Sequence, residues 1–158
     1  MVGSKLFLTT NILVVGKRNA GEDWINEGCK QYETRLTNSL TVVTHYLKSD
    51  SDLVDAVFDG KKTSLVRGAL IALDENGTEF TSRKFSDFLY DSLVAGGAHC
   101  TFIIGGFDGL PSQIQSSKDI TKISLSKMTW THQMARLLLL EQIYRGMEIK
   151  KGSAYHKD

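Results

Sequence analysis

Phe102-Ile103-Ile104-Gly105-Gly106-Phe107-Asp108-Gly109-Leu110 is the stretch whose reading decides the fold. The apolar run from Cys100 to Ile104 has the composition of a strand buried on both faces, and such strands belong to parallel sheets covered by helices. The glycines then stop the strand, and Pro111 is placed to open a short helix after the loop. Strand, glycine loop and helix in that order are one half of a βαβ unit.

The same alternation extends in both directions. Upstream, Ala69 to Asp74 reads as another buried strand, with a turn at Glu75-Asn76-Gly77. Thr81 or Ser82 then caps a helix carrying Phe85, Phe88, Leu89 and Leu93, which Gly96-Gly97 ends. Further upstream, Ile12 to Val15 is a strand closed by Gly16. It precedes a helix with Trp24, Gly28, Tyr32 and Leu36 at four-residue steps and Ile25 and Cys29 alongside. Leu40 to Leu47 returns to strand composition. Asp50-Ser51-Asp52 supplies cap chemistry for a helix through Phe58, with Gly60-Lys61-Lys62 interrupting it. Downstream, a short fifth strand surrounds Ile123 to Leu125, and Gln133 to Ile149 is the longest helix. Its apolar surface, Leu137 to Leu140 with Met134, Ile143, Tyr144 and Met147, is wide enough to need cover on more than one side, from the same chain or from a second copy. The expected fold is α/β, a single domain built on a parallel sheet with helices on both faces.

Composition sets limits on function. At 158 residues the chain buries a core without needing staples. A net charge of +1 argues against gripping nucleic acid over the whole surface, and leaves room for a local basic patch. Cys29 and Cys100 have neither CxxC spacing nor histidine neighbours, so reduced core thiols are expected rather than a disulfide or a metal site. No apolar run is long enough to span a membrane, and no metal is expected. Leu6-Phe7-Leu8 is too short and too quickly polar for a secretory segment, so residues 1–10 read as an N-terminal extension and 11–158 as the domain.

Ligands of open parallel sheets bind outside the carboxyl ends of the strands, which nominates the loops after Leu73, Ile104 and Leu125. Gly105 and Gly106 either allow close approach of a ligand or simply make a tight turn. The GGFDGLP run lacks the GK[ST] ending of a phosphate loop, and GxGxxG is absent, so a neutral adenosine held by backbone groups fits as well as a phosphate does. Asp108 serves either a ligand hydroxyl or the next helix. Ser124 to His132 is rich in donors and acceptors, with Thr131 a fitting helix cap. His132 and His156 alone read as surface histidines.

Four segments carry more together than singly: Ile104-Gly105-Gly106-Phe107-Asp108-Gly109-Leu110, Leu125-Ser126-Lys127-Met128-Thr129-Trp130-Thr131-His132, Glu141-Gln142-Ile143-Tyr144-Arg145-Gly146 and Tyr155-His156-Lys157. In this combination the chain resembles the SPOUT superfamily. More narrowly, it resembles the RlmH family of methyltransferases, which act on a pseudouridine N3 of large-subunit rRNA. The resemblance runs from about Ile12 to the C-terminus. It implies a trefoil knot in about 100–158, an exception to the rule that chains do not thread loops. It also implies S-adenosyl-L-methionine as methyl donor, a homodimer, and the ribosome as substrate.

Carried over by position, Leu73, Gly105, Leu125, Ser126, Lys127, Met128, Thr129 and Trp130 would hold the cofactor, and Tyr155, His156, Lys157 and Arg145 would act on the target nucleotide. Lys17 is a further candidate for phosphate contact. Histidine is the natural base candidate for the imide proton, because imidazole changes protonation near neutral pH. Arg145 or Lys157 would otherwise stabilise the imide anion. Thr131 stands at the family's usual proline, and Phe107 is bulkier than the usual residue after Gly-Gly. The resemblance places the protein in a bacterial cytoplasm, or in an organelle with bacterial-type ribosomes. The alternatives are a SPOUT methyltransferase for tRNA or another rRNA site, and a knotted dimer that binds ribosomes without catalysis.

Overall fold

The computed structural model describes residues 7–17, 22–60 and 65–158. Among these residues five strands and five helices alternate: β1 (Thr9–Val15), α1 (Asp23–Leu36), β2 (Thr41–Leu47), α2 (Asp50–Phe58), β3 (Ala69–Glu79), α3 (Ser82–Ala95), β4 (His99–Ile104), α4 (Ser112–Ser116), β5 (Thr121–Ser124) and α5 (His132–Lys151). The strands form one sheet in the order β2-β1-β4-β3-β5, and every pairing is parallel. The α/β fold expected from the alternation is the fold found. Parallel pairing puts all carboxyl ends at one edge of the sheet, and the strand order makes those of β4, β3 and β5 neighbours.

Period-two alternation divides the core between the two faces. Ile12, Val14, Ile71, Phe102, Ile104 and Ile123 pack with buried residues of α1, α3 and α5. Leu13, Leu47, Ala72 and Ile103 pack with α2 and α4 on the opposite face. Leu139, Leu140, Ile143 and Met147 of α5 join the first cluster, and α5 runs between α1 and α3. Truncating one of these fully buried residues to alanine costs about 2–5 kcal/mol by loss of apolar contact and by the cavity left behind. Leu137 and Leu138 are only half-buried. The single chain thus covers one side of the leucine run and leaves the other partly open.

One buried charge pins this helix. Arg136, 3% exposed, donates to Asn26 Oδ1 of α1 at 2.6 Å and to the Tyr46 hydroxyl of β2. Its guanidinium also lies 5.6 Å from the centre of the Tyr46 ring. Nearby, burial raises the pKa of Glu33, and the Arg136 charge opposes that rise. Cys29 and Cys100 are free and buried, and burial pushes the Cys100 thiol up to about 11.

Several boundaries differ from the sequence reading by a residue or two, and three differ for a physical reason. β1 opens at Thr9, whose amide donates to Ala98 O at 2.9 Å, so Thr9 and Thr10 leave the expected extension and join the sheet. Their polarity misleads, because Thr10 is fully buried with its hydroxyl 3.4 Å from Cys100 Sγ. The cap of α2 is Ser49, whose Oγ accepts from Asp52 N at 3.1 Å, rather than the Asp50 to Asp52 group. The turn at Glu75-Asn76-Gly77 does not end β3. Leu73 and Thr78 both pair with Ile123, so residues 74–77 bulge out of the ladder and the strand resumes. Asp74 Oδ1, accepting from Asn76 N at 2.9 Å, makes the local turn within that bulge. Of the Gly60-Lys61-Lys62 interruption, Gly60 follows the end of α2, and Lys61 and Lys62 lie outside the described residues.

Gly77 makes the return to the ladder possible. A Cβ there would lie 2.7 Å from the backbone nitrogen of Ile123, and backbone cannot give way as a flexible side chain can. Gly77→Ala is therefore expected to cost about 1–3 kcal/mol in urea unfolding through separation of β3 from β5. An unchanged midpoint and slope would show that the bulge accommodates the methyl group.

Candidate active site

A cleft of about 380 Å³ opens above the carboxyl ends of β3, β4 and β5. Its walls are the β3 bulge, the glycine loop after β4, the loop after β5 and the first turn of α5. Leu73, Gly105, Leu125, Ser126, Met128, Thr129 and Trp130 all line it. Lys127 does not, and is exposed on the same loop. The wall also includes His132, Asp74, Glu75 and Asp108.

Local chemistry shapes each wall. A Cβ on Gly105 would lie 2.4 Å from Gly109 O, so only glycine lets the loop fold back this tightly. Gly109, at φ 81°, closes the loop by donating its amide to Gly106 O at 3.0 Å. Phe107 stands at the tip of this turn, 97% exposed. In the loop after β5, Ser126 Oγ accepts from Met128 N at 3.1 Å and from Trp130 Nε1 at 2.9 Å. Ser124 Oγ donates to Ser126 O at 2.6 Å. Thr129 Oγ1 reaches across to donate to Glu75 Oε2 at 2.7 Å, tying this loop to the β3 bulge. Thr131 Oγ1 accepts from Met134 N at 3.2 Å and caps α5 in the role its residue type suggests. These bonds set the cleft's shape before any ligand arrives.

The charge of the cleft is one-sided. Among the described residues its lining holds three carboxylates, Asp74, Glu75 and Asp108, and no lysine or arginine. Such a lining suits a ligand that carries positive charge, hydroxyls and amines, and repels di- and triphosphates. No group of His, Cys, Asp and Glu able to hold a metal occurs among the described residues.

Arg145, Tyr155, His156 and Lys157 lie elsewhere. The tail after α5 folds back onto the helix, and Glu141 is the hub of the contact. Its Oε1 accepts from Arg145 Nε at 3.0 Å, Arg145 Nη2 at 2.7 Å and the Tyr155 hydroxyl at 3.1 Å. Its Oε2 accepts from Gln142 Nε2 at 2.8 Å. The Tyr155 ring stands edge-on to Tyr144 with centroids 4.7 Å apart, and the Arg145 guanidinium lies 4.8 Å from the Tyr155 ring centre. Arg145 Nη1 sits 3.1 Å from His156 Nδ1. Arginine only donates, so Nδ1 accepts and the neutral ring carries its proton on Nε2. That nitrogen lies 3.3 Å from Asp158 Oδ1. Asp158 is in turn held by Arg83 through two bonds, at 2.8 and 2.7 Å, which lower its carboxyl pKa. Lys157 is exposed.

Cleft and tail cluster are separated along α5. Ala135 is at the cleft and Arg145 in the cluster, and ten residues of helix span about 15 Å. Reacting groups must come within about 3–3.5 Å of each other. Lys17 and Arg145 lie outside the cleft lining as well. Glu75, Glu141 and Arg136 escaped the sequence reading, because charged residues on apparent turns and helices read as solvated faces.

Burial, reinforced by the bond to Glu141, raises the Tyr155 pKa above the ordinary 10.0 and keeps the phenol protonated as a donor. In a pH titration followed by tyrosine ring NMR, Tyr155 is therefore expected to stay un-ionised at pH 10.0, where an ordinary tyrosine is half ionised. A midpoint at or below 10.0 would show that the Tyr155–Glu141 contact does not persist in solution.

Comparison with known proteins identifies the scaffold. Residues 8–156 match the family described as "Predicted SPOUT methyltransferase". The chain is 38% identical over 150 residues to a Protochlamydia amoebophila protein named ribosomal RNA large subunit methyltransferase H, covering 95% of this chain and 99% of that one. A Prochlorococcus marinus protein of the same name is 40% identical over 149 residues, covering 93% and 94%. Among solved structures, a probable methylase family protein from Haemophilus influenzae superposes with a TM-score of 0.52 at 12% identity, over 98% of this chain and 72% of that one, a likeness of fold. The chain belongs to the SPOUT methyltransferase family.

Proposed function

We propose that this protein methylates N3 of a pseudouridine in large-subunit rRNA, using S-adenosyl-L-methionine, as a homodimer acting on the assembled ribosome. The observation that carries the reading is the cleft on a glycine floor, whose lining among the described residues has three carboxylates and no lysine or arginine, in a chain closely related to named rRNA methyltransferases. No helix among the described residues is long and apolar enough to cross a membrane, and the compartment proposed from the ribosomal substrate is the cytoplasm. The knot in about 100–158 is part of the same proposal.

The residues present fit the cofactor. Its volume and chemistry, an adenosine with free hydroxyls and a positively charged sulfonium, match a cleft of about 380 Å³ with three carboxylates. Leu73, Leu125 and Trp130 would pack the adenine, Ser126, Met128 and Thr129 would line the same wall, and Gly105 would let backbone approach. When bound, the cofactor supplies a methyl group activated by the positive sulfur. The protein's own tasks are then to place N3 in line with that methyl, to exclude water and to manage the N3 proton.

The tail would supply the third task. Tyr155, held protonated, can donate but cannot act as the base. His156 has its Nδ1 lone pair engaged by Arg145, so it becomes a base only when that contact opens. Arg145 keeps its charge throughout and suits stabilisation of the imide anion. None of Arg145, Tyr155, His156 and Lys157 lines the cleft, so one chain's tail is not seated in its own cleft in this conformation. Pairing two chains, with the half-buried Leu137 and Leu138 at the contact, would bring the tail of one to the cleft of the other. A net charge of +1 leaves little general affinity for RNA, so recognition would come from the folded shape of the ribosome.

The test is methyl transfer from labelled cofactor to large ribosomal subunits, with the product located by mass spectrometry. One methyl on a pseudouridine is expected. Label found on tRNA, at another rRNA site or nowhere would overturn the proposal. Gly105→Ala, which pushes the methyl group against Gly109 O, is expected to weaken cofactor binding in calorimetry at least about tenfold, or roughly 1.4 kcal/mol. Unchanged affinity would place the cofactor elsewhere.

A further inference from the structure

We infer that Glu141 is the positioning residue of the catalytic tail: its carboxylate fixes Arg145 and Tyr155, and through Arg145 it sets the orientation of His156 and, together with Asp158 at Nε2, its tautomer. The inference rests on the methyltransferase reading for its activity readout, and on geometry alone for its spectroscopic one.

Three donors converge on one carboxylate oxygen, Arg145 Nε, Arg145 Nη2 and the Tyr155 hydroxyl, all within 3.1 Å. Glu141 is itself held. Its second oxygen accepts from Gln142 Nε2, and the Gln142 Oε1 accepts from Ser82 Oγ of α3 at 2.9 Å. The Glu141 side chain is 18% exposed, so water competes little for these bonds. With Nε and Nη2 of Arg145 committed to Glu141, the planar guanidinium has a fixed direction for Nη1, and that direction meets His156 Nδ1 at 3.1 Å. Pairing with Glu141 also raises the Arg145 pKa, so the donor to Nδ1 is always charged. The spacing of Glu141 and Arg145, i and i+4, puts both on one face of α5. An ordinary surface pair of that spacing contributes little. Here the pair instead orients a third and a fourth group.

Glu141→Gln keeps the size of the side chain and removes its charge, and Tyr155→Phe removes only the hydroxyl that reaches Glu141. For Glu141→Gln, kcat for methylation of large ribosomal subunits is expected to fall roughly ten- to a hundredfold, while the calorimetric Kd for S-adenosyl-L-methionine stays within about twofold. Long-range proton–nitrogen spectra of the histidine-labelled, full-length protein should show His156 protonated on Nε2 in the wild type and a mixture of tautomers in Glu141→Gln. Tyr155→Phe should give a smaller change of the same kind. Unchanged kcat, or a wild-type tautomer pattern in a folded Glu141→Gln protein, would overturn the inference. If the wild type transfers no methyl group at all, the functional reading fails, and the histidine spectra still decide the role of Glu141.

Discussion

Leu139, Leu140, Ile143 and Met147 seat α5 on the sheet between α1 and α3, and both halves of the proposed chemistry hang on that one helix. Its first turn, capped by Thr131, contributes His132 and Ala135 to the cleft. Its middle carries Glu141 and Arg145, which hold the tail. Arg136, between them, is tied to α1 and β2 and stops the helix from rolling or sliding. A helix so fixed is a rigid ruler, and its rise of about 1.5 Å per residue keeps the two groups apart.

The two ends also differ in charge. The cleft is lined by carboxylates and shaped by hydroxyl and backbone bonds, as suits a cationic donor with polar rims. The tail gathers Arg145 and Tyr155 around the carboxylate of Glu141, with His156 against Arg145 and Asp158 held by Arg83 at the far end. In that folded-back state the arginine charge is paired with Glu141 and both histidine nitrogens face a partner. In the proposed reaction, release of His156 or of Arg145 toward a nucleotide would mean exchanging these contacts for substrate contacts, which would couple tail movement to RNA binding.

The fold was legible because buried parallel strands are written as continuous apolar runs, and Ile12 to Val15, Ala69 to Leu73 and Cys100 to Ile104 are such runs. Polar residues that are buried and bonded defeat that reading. Thr9 and Thr10 belong to β1 for that reason, and Arg136 is hidden in a leucine-rich stretch. The β3 bulge was half legible: Asp74 to Gly77 do turn, and pairing with β5, a non-local event, brings the chain back into the sheet. The cofactor residues assigned by resemblance, apart from Lys127, line one cleft because their loops follow neighbouring strands. The role of Glu141 could not be read from its position in a helix, because it depends on a tail that returns to meet it from 14 residues away.

The central claim is that cleft and tail work together only across two copies of the chain. Complementation tests it directly. A chain carrying Gly105→Ala is co-folded with a chain ending at Gly152, which lacks Tyr155, His156 and Lys157, and methyl transfer to large ribosomal subunits is measured. At cofactor well below the Kd of the Gly105→Ala cleft, each protein alone should have little activity and the mixture should recover it, since one pairing unites an intact cleft with an intact tail. A co-folded mixture containing both chains in one dimer yet remaining as silent as its components would contradict the account.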